Sequence, residues 1–247
     1  MRIVMYLRGL AVAFAICTSG CVASADGIAP GQYNAAGTAV DGTAYSAEVG
    51  LEARGKAYAL NWTRADGLVY RGQGLELDGV LGAVYWAERD GFRAPGIVVY
   101  RIDGGKLAGI WLPDENGQVL GREDLVGSPD LEGRFEIALG QRPDGGRYSG
   151  HVMIERRGDI YYFHWYAPRD SFIGNGVRIG NVMVVGYALG RAPGTIAYCV
   201  TSDELSGAFS YGAETRLGHE TLRRPNGEVV TAEARSPTSC AAKVASR

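Results

Sequence analysis

The sequence has little proline, histidine or cysteine, and it has no long hydrophobic run beyond its N-terminus. Its 247 residues include 9 Pro, 3 His and 4 Cys. So little proline is not typical of a disordered Pro-rich chain, and a hydrophobic content of 46% supplies enough apolar side chains for a packed core. The formal net charge of −2 provides no basic surplus, so no nucleic-acid partner is expected.

Motifs that carry known chemistry are missing as well. The chain has no Gly-x-Ser-x-Gly, no His-Glu-x-x-His and no phosphate-binding loop. We therefore expect no cofactor and no enzymatic activity. The alternative is an envelope enzyme that uses carboxylates such as Glu123 and Glu220, although strand or turn positions explain both residues more simply.

The N-terminus has the three parts of a secretory signal peptide. Arg2 and Arg8 flank the start, the apolar run Leu10–Cys17 follows, and a small-x-small pattern ends at Ala25. The run is much shorter than the roughly 20 residues of a membrane-spanning helix. Residues 1–25 are therefore predicted to be a signal peptide, and the protein is predicted to be exported.

The same segment contains a second processing signal. The sequence Thr18-Ser19-Gly20-Cys21 resembles a bacterial lipobox, in which the cysteine becomes the lipidated N-terminus. Lipidation of Cys21 would anchor the protein to a membrane, whereas cleavage after Ala25 would leave it free in the periplasm or outside the cell. A membrane partner is expected only in the first case.

Two cysteines remain after the leader, Cys199 and Cys240. In an oxidising compartment, two thiols favour one disulfide. Closing the loop between them would stabilise the fold by roughly 4 kcal/mol on the chain-entropy model. The alternative is two unpaired thiols.

The chain contains one unit twice. Residues 31–125 match residues 133–222 in order, with a linker over 126–132 and a polar C-terminal tail over 223–247. The high glycine content, 37 residues, follows partly from this duplication. The matched glycine positions are 31/133, 42/145, 55/158, 72/174, 74/176, 96/194, 109/207 and 121/218.

Both copies have the alternation of β-strands. Apolar positions recur every second residue over 45–51 and 58–62, and again over 148–154 and 161–165, while no stretch shows helical periodicity. Glycine-containing turns separate the strands. We predict an all-β fold of two tandem antiparallel meander repeats, each a small up-and-down barrel or a strongly curved sheet. The alternative is one sandwich with a sheet from each repeat.

Ten residues form the signature of the repeat. They obey the apolar alternation or recur at equivalent positions, so the aromatic members are predicted to lie in the core, with ligand-binding platforms as the alternative. They are Tyr45, Tyr58, Trp62, Trp111 and Glu123 in the first copy, and Tyr148, Tyr161, Trp165, Phe209 and Glu220 in the second copy.

One histidine pair is a weak candidate for a metal site. If Arg157-Gly158 forms the hairpin turn, His151 lies opposite His164, at a separation that would allow both to ligate one ion. No third ligand is evident from the sequence. A surface pair is the simpler interpretation, and no metal site is predicted.

The ordered motifs Gly-x-Tyr, Asp-Gly-x-x-Tyr-Ser, Gly-x-x-Tyr-x-x-x-Trp and Gly-x-Glu-x-Leu occur in both copies. In this pattern the chain resembles exported proteobacterial proteins of unknown function, some of which are labelled fibronectin-binding protein. The resemblance implies an all-β envelope protein, and it carries no catalytic residue over to this chain. We expect a non-enzymatic binding module for a macromolecule or a small apolar ligand. The alternative is a structural or stress-related envelope component.

Overall fold

The structure is a computed structural model that describes residues 27–113, 119–166 and 171–231. Strands dominate these residues, and their only helical elements are short 3-10 turns at Glu88–Asp90 and Pro225–Gly227. The predicted all-β class is confirmed. Among the described residues, no helix has the length and apolar character needed to cross a membrane.

Each repeat contributes eight strands. Those of the first repeat are β1 Gly31–Thr38, β2 Ala44–Arg54, β3 Ala57–Arg64, β4 Val69–Leu77, β5 Val80–Trp86, β6 Gly96–Asp103, β7 Lys106–Leu112 and β8 Gly121–Val126. Those of the second are β9 Gly133–Gln141, β10 His151–Arg157, β11 Ile160–Tyr166, β12 Ser171–Ile179, β13 Val182–Leu189, β14 Gly194–Val200, β15 Leu205–Ser210 and β16 Gly218–Arg223.

The strands close into two antiparallel eight-stranded barrels, as predicted, and not into a sandwich. Barrel 1 has the strand order β1-β16-β15-β14-β5-β4-β3-β2, and barrel 2 has the order β10-β11-β12-β13-β6-β7-β8-β9. Closure leaves neither sheet with a free edge.

The two repeats exchange strands. Barrel 1 combines β1–β5 of the first repeat with β14–β16 of the second, and barrel 2 takes the remaining three strands of the first repeat. The chain leaves barrel 1 after Trp86, completes the whole of barrel 2, and returns at Gly194. Each barrel therefore depends on both repeats for its closure.

Because successive side chains of a strand point to opposite faces, every second residue of each strand points into a barrel. The interior of barrel 1 is centred on Tyr33, Leu60 and Tyr198, all fully buried. One end of this interior is closed by chain outside the barrel, because Ile28 donates its backbone N–H to Tyr58 Oη at 3.1 Å. The interior of barrel 2 is centred on large side chains of the same kind, Tyr100, Phe135 and Phe163.

The outer faces of the barrels pack against each other along β5 and β13. Gly82 faces Val184, and a Cβ at Gly82 would lie 2.6 Å from Val184 Cγ1. Gly186 faces Val84 in the same way, and a Cβ at Gly186 would lie 2.9 Å from Val84 Cγ2. The two glycines thus leave room for the two valines, and this allows the sheets to come into close contact.

Several of the matched glycines lie beneath aromatic rings of the neighbouring strand. A Cβ at Gly109 would lie 2.5 Å from Tyr100 Cδ1, and one at Gly207 would lie 2.7 Å from Tyr198 Cδ1. The rings can lie against the backbone only because these positions have no side chain. The glycine excess therefore has a packing role inside both barrels.

The ends of the chain differ in part from their predicted organisation. The segment after β16 returns to barrel 1, where Val230 is fully buried and its carbonyl accepts the Ala29 N–H at 2.7 Å. The start of the predicted polar tail thus contributes to the core, because a buried Val230 covers the end of the barrel interior. The predicted signal peptide 1–25 with Cys21, and the tail beyond residue 231, lie outside the described residues.

Candidate functional site

A buried carboxylate lies at the centre of barrel 1. Glu220 on β16 points inward and is 4% exposed. Trp62 Nε1 donates a hydrogen bond to its Oε1 at 3.1 Å, and Tyr45 Oη donates to its Oε2 at 2.8 Å. Tyr198 Oη donates a third, short bond to Oε1. Side chains from three other strands, β2, β3 and β14, therefore donate hydrogen bonds to this one carboxylate.

Barrel 2 contains the same cluster. Glu123 on β8 is 3% exposed and accepts from Trp165 Nε1 at 3.0 Å and from Tyr148 Oη at 2.8 Å. Tyr100 Oη supplies the third, short bond. The recurrence of all four residue types at equivalent positions indicates a structural role common to the two barrels.

Burial dominates the electrostatics of both carboxyl groups. Loss of hydration raises the pKa of Glu123 and of Glu220 above the ordinary value of 4.5, and the donated hydrogen bonds oppose part of that rise. Burial, and after it the neighbouring carboxyl group, raises the pKa of Tyr45 and of Tyr148, so these phenols remain protonated donors. Arg64 lowers the pKa of Glu220 slightly.

A cavity of about 210 Å³ opens at the mouth of barrel 1, above Glu220. Its position at the open end of a small β-barrel is one where ligand sites commonly occur. Six of the thirteen residues that line it are aromatic. The six rings are those of Tyr45, Trp62, Tyr70, Tyr85, Phe209 and Tyr211.

Several of the rings meet edge to face and form an aromatic box around the cavity. Tyr70 and Tyr85 are nearly perpendicular, with centroids 5.8 Å apart, and Tyr70 meets Tyr211 in the same way at 6.2 Å. Tyr85 and Phe209 make a third edge-to-face pair at 6.5 Å. Edge-to-face contacts are favourable, so the rings support one another around the cavity.

Charged groups also line this cavity. Arg64 at the end of β3 places its guanidinium 4.8 Å from the centroid of the Tyr45 ring and donates from Nη2 to Asp66 at 2.9 Å. Its Nε is buried and has no hydrogen-bond partner among the described residues. Glu214 lies at the rim, and burial raises its pKa.

The mouth of barrel 2 differs at equivalent positions. At each of these positions, barrel 2 has either a residue without the polar or charged group found in barrel 1, or a larger aromatic residue. The differences are Ala167 for Arg64, Phe172 for Tyr70, Pro113 for Tyr211 and Trp111 for Phe209, of which Ala167 lies outside the described residues. At the described positions, barrel 2 thus lacks the two hydroxyl groups that Tyr70 and Tyr211 supply in barrel 1.

Barrel 2 supports the rim of the cavity in barrel 1. The loop 211–217 between β15 and β16 contributes two of the lining residues. Asn175 Nδ2 of barrel 2 donates to Gly212 O at 2.6 Å, and Asp159 N donates to Thr215 O at 2.9 Å. The position of the rim thus depends on both barrels.

A second cavity of about 190 Å³ lies on the outer face of β3 and β4, next to Leu112 of barrel 2. Asn61, Arg71 and Gln73 are among its polar lining residues. Gln73 is 3% exposed, and neither atom of its amide has a partner among the described residues. It is the equivalent of Asn175, whose amide nitrogen is bonded.

The predicted hairpin register of the histidine pair is wrong. The turn is Gly158-Asp159, with Gly158 at φ +64°, so Arg157 pairs with Ile160 and His151 lies opposite Tyr166. His164 lies opposite Met153 instead. The turn is displaced by one residue because glycine takes its first central position, where the left-handed conformation is needed.

The histidines therefore have other partners. The His151 ring stacks on Tyr166 with centroids 4.9 Å apart, and His164 Nε2 contacts Ser171 Oγ. Burial and the neighbouring His151 lower the pKa of His164. Within the described ranges, no group of three or more His, Cys, Asp or Glu residues is arranged to hold a metal ion.

The predicted disulfide stays a prediction. Cys199 is buried in β14 at the contact between the barrels, and Cys240 lies outside the described residues.

The structure divides the ten signature residues between the two barrel interiors. Tyr45, Trp62, Phe209 and Glu220 meet at the mouth of barrel 1, although they are far apart in sequence. Tyr148, Trp165, Trp111 and Glu123 meet in barrel 2. Tyr58 and Tyr161 are buried core residues.

Sequence reasoning did not select several residues of the site. Tyr100 and Tyr198 belong to matched segments, so the repeat itself held a signal for them. Arg64, Tyr70 and Tyr211 gave no such signal, because they are positions at which the repeats differ.

Comparison with family models, with curated proteins and with solved structures finds no match to this chain.

Proposed function

We propose that this protein is an exported, non-enzymatic binding protein that holds a small, largely apolar aromatic ligand in the mouth of barrel 1. The observation that carries the proposal is the cavity of about 210 Å³ with its wall of six aromatic rings. A preformed apolar site with a few polar groups is the usual form of a small-molecule site. The signal-peptide pattern and the resemblance to exported proteobacterial proteins support the location in the envelope.

A ligand-observed experiment tests the binding. The probe is 4-fluorophenol, whose ¹⁹F resonance broadens when the ring enters a protein site. We expect saturable broadening with the mature protein. Ala47→Leu should abolish it, because Ala47 is buried and lines the cavity, where added methyl groups would occupy the ligand volume.

The matched control is Ala53→Leu, the same change at an exposed position on the same strand. This variant should bind the probe as the parent protein does, and urea unfolding should show that both variants fold. Absence of saturable broadening in the parent protein would contradict the proposal and favour a structural envelope component.

A carboxylate-based envelope enzyme is the second candidate, because Glu220 lines the cavity and its pKa is raised. Against it, the Glu220 oxygens already accept three hydrogen bonds, and barrel 2 has the same arrangement around Glu123. A group that serves packing in both barrels is a weaker candidate for catalysis than for structure.

A further inference from the structure

The guanidinium of Arg64, which lines the cavity, is only partly engaged by its neighbours. Its Nη2 is engaged by Asp66, and its plane lies near the Tyr45 ring. Its Nε is buried and has no partner among the described residues. A buried N–H without an acceptor costs about 1–3 kcal/mol, so such a group in a native structure calls for an explanation.

Several other polar groups of the cavity wall already have hydrogen-bond partners. Both oxygens of Glu220 accept hydrogen bonds from barrel 1. Tyr85 Oη donates to Ser210 O at 3.1 Å, and Tyr211 Oη donates to Asp90. The Arg64 guanidinium is thus the cationic donor of the wall that an incoming acceptor would meet.

We propose that the ligand of this cavity is an aromatic carboxylate, with its ring inside the aromatic box and its carboxylate paired with the guanidinium of Arg64, the cationic side chain of the cavity wall. This inference rests on the proposed function and names the chemical class of its ligand. A carboxylate is the acceptor that suits a guanidinium best, since the bond between them is charge-assisted.

The other charged groups at the cavity are compatible with this assignment. Glu214 lies at the rim, with Arg216 close enough to oppose the rise in its pKa. Glu220 lies at the floor, where its charge is met by three donors. An aromatic cation would gain from the rings but would leave the Arg64 Nε–H unpaired and bring a like charge next to the guanidinium.

Probes of one shape and different charge distinguish the possibilities. They are 4-fluorobenzoate, 4-fluorobenzamide and 4-fluorobenzylammonium, titrated into the mature protein and followed by ¹⁹F NMR beside 4-fluorophenol. We expect the benzoate to bind about tenfold or more tightly than the ammonium probe, with the amide between them. If the ammonium or the amide binds as tightly as the benzoate, the carboxylate assignment is overturned while the binding function stands.

Two variants separate the role of Arg64 from a general effect of charge. Arg64→Gln should weaken benzoate binding about tenfold and change phenol binding less than about threefold. Arg134→Gln makes the same charge change at an exposed ion pair of barrel 2 and should leave both affinities unaltered. Equal benzoate affinity in Arg64→Gln and the parent protein would refute the inference, and failure of all four probes to bind would refute the proposed function itself.

Discussion

The two barrels have the same interior and different mouths. Around Glu123 and around Glu220, two phenols and one indole donate to a buried carboxylate in the same arrangement. At the mouths, barrel 1 has the hydroxyl groups of Tyr70 and Tyr211 where barrel 2 has Phe172 and Pro113, and the sequence has Ala167 at the position equivalent to Arg64. The shared interior indicates which contacts the fold requires, and the mouth is the region in which the two copies differ.

The contact between the barrels shows a second kind of divergence. At this contact each position faces its own equivalent, so two identical repeats would place glycine against glycine and valine against valine. In this chain Gly82 faces Val184, and Val84 faces Gly186. A duplicated chain can thus build a close-packed contact that identical copies could not.

The largest expected effect comes from removing a carboxylate. Glu220→Leu and Glu123→Leu should each lower the free energy of unfolding by about 3 kcal/mol or more, because three buried donors lose their acceptor. Urea unfolding measures this loss. The matched variants Glu220→Gln and Glu123→Gln keep an acceptor oxygen and should cost about 1 kcal/mol. A neutral effect of either leucine variant would show that the two clusters are not equivalent.

A smaller effect is expected at the barrel contact. Gly82→Val should destabilise the protein by about 1–3 kcal/mol, because its side chain would overlap Val184. The double variant Gly82→Val/Val184→Gly exchanges the two residues. Its free energy of unfolding should be at least about 1 kcal/mol higher than the sum of the two single effects predicts. Strict additivity in a double-mutant cycle, measured by urea unfolding, would mean that the two residues do not contact each other.

The support that barrel 2 gives to barrel 1 predicts an effect at a distance. Asn175→Ala removes the hydrogen bond to Gly212 and should weaken 4-fluorobenzoate binding in barrel 1 about fivefold, since the rim loop loses its anchor. Titration by ¹⁹F NMR measures it. Gln73→Ala at the equivalent position of barrel 1 is the control and should leave the affinity unchanged, because the Gln73 amide holds no partner among the described residues.

The smallest expected effect is on the pH dependence of stability. The pKa values of Glu123 and Glu220 are raised in the folded protein, so the folded state holds protons that the unfolded state has released. Their contribution is complete below about pH 4.5 and is lost as the pH rises through the raised values. The double variant Glu123→Gln/Glu220→Gln should therefore lose less stability than the parent protein between pH 4 and pH 8. Parallel curves of urea midpoint against pH would contradict this.

Much of the fold could be predicted from the sequence, because the alternation and the glycine turns are local. The pairs Gly55/Gly158 and Gly109/Gly207 reported the duplication directly, and closure into two barrels followed from the need to hide strand edges. The turn at Gly158-Asp159 was misplaced by one residue. Because that error shifts every cross-strand pair of the hairpin by two positions, the inward and outward faces were still assigned correctly, but the partners were not, and His151 and His164 are no longer opposite each other.

The sequence by itself determined the all-β class, the two repeats and the set of aromatic and acidic residues that both copies share. Only the tertiary structure decided which copy completes which barrel, because pairing β5 with β14 or with β6 is a choice between equivalent strands that no local pattern distinguishes. It also decided that Arg64 of the first repeat meets Phe209 of the second at one cavity. Local propensities act within a strand, whereas a site built from exchanged strands depends on contacts between residues more than a hundred positions apart.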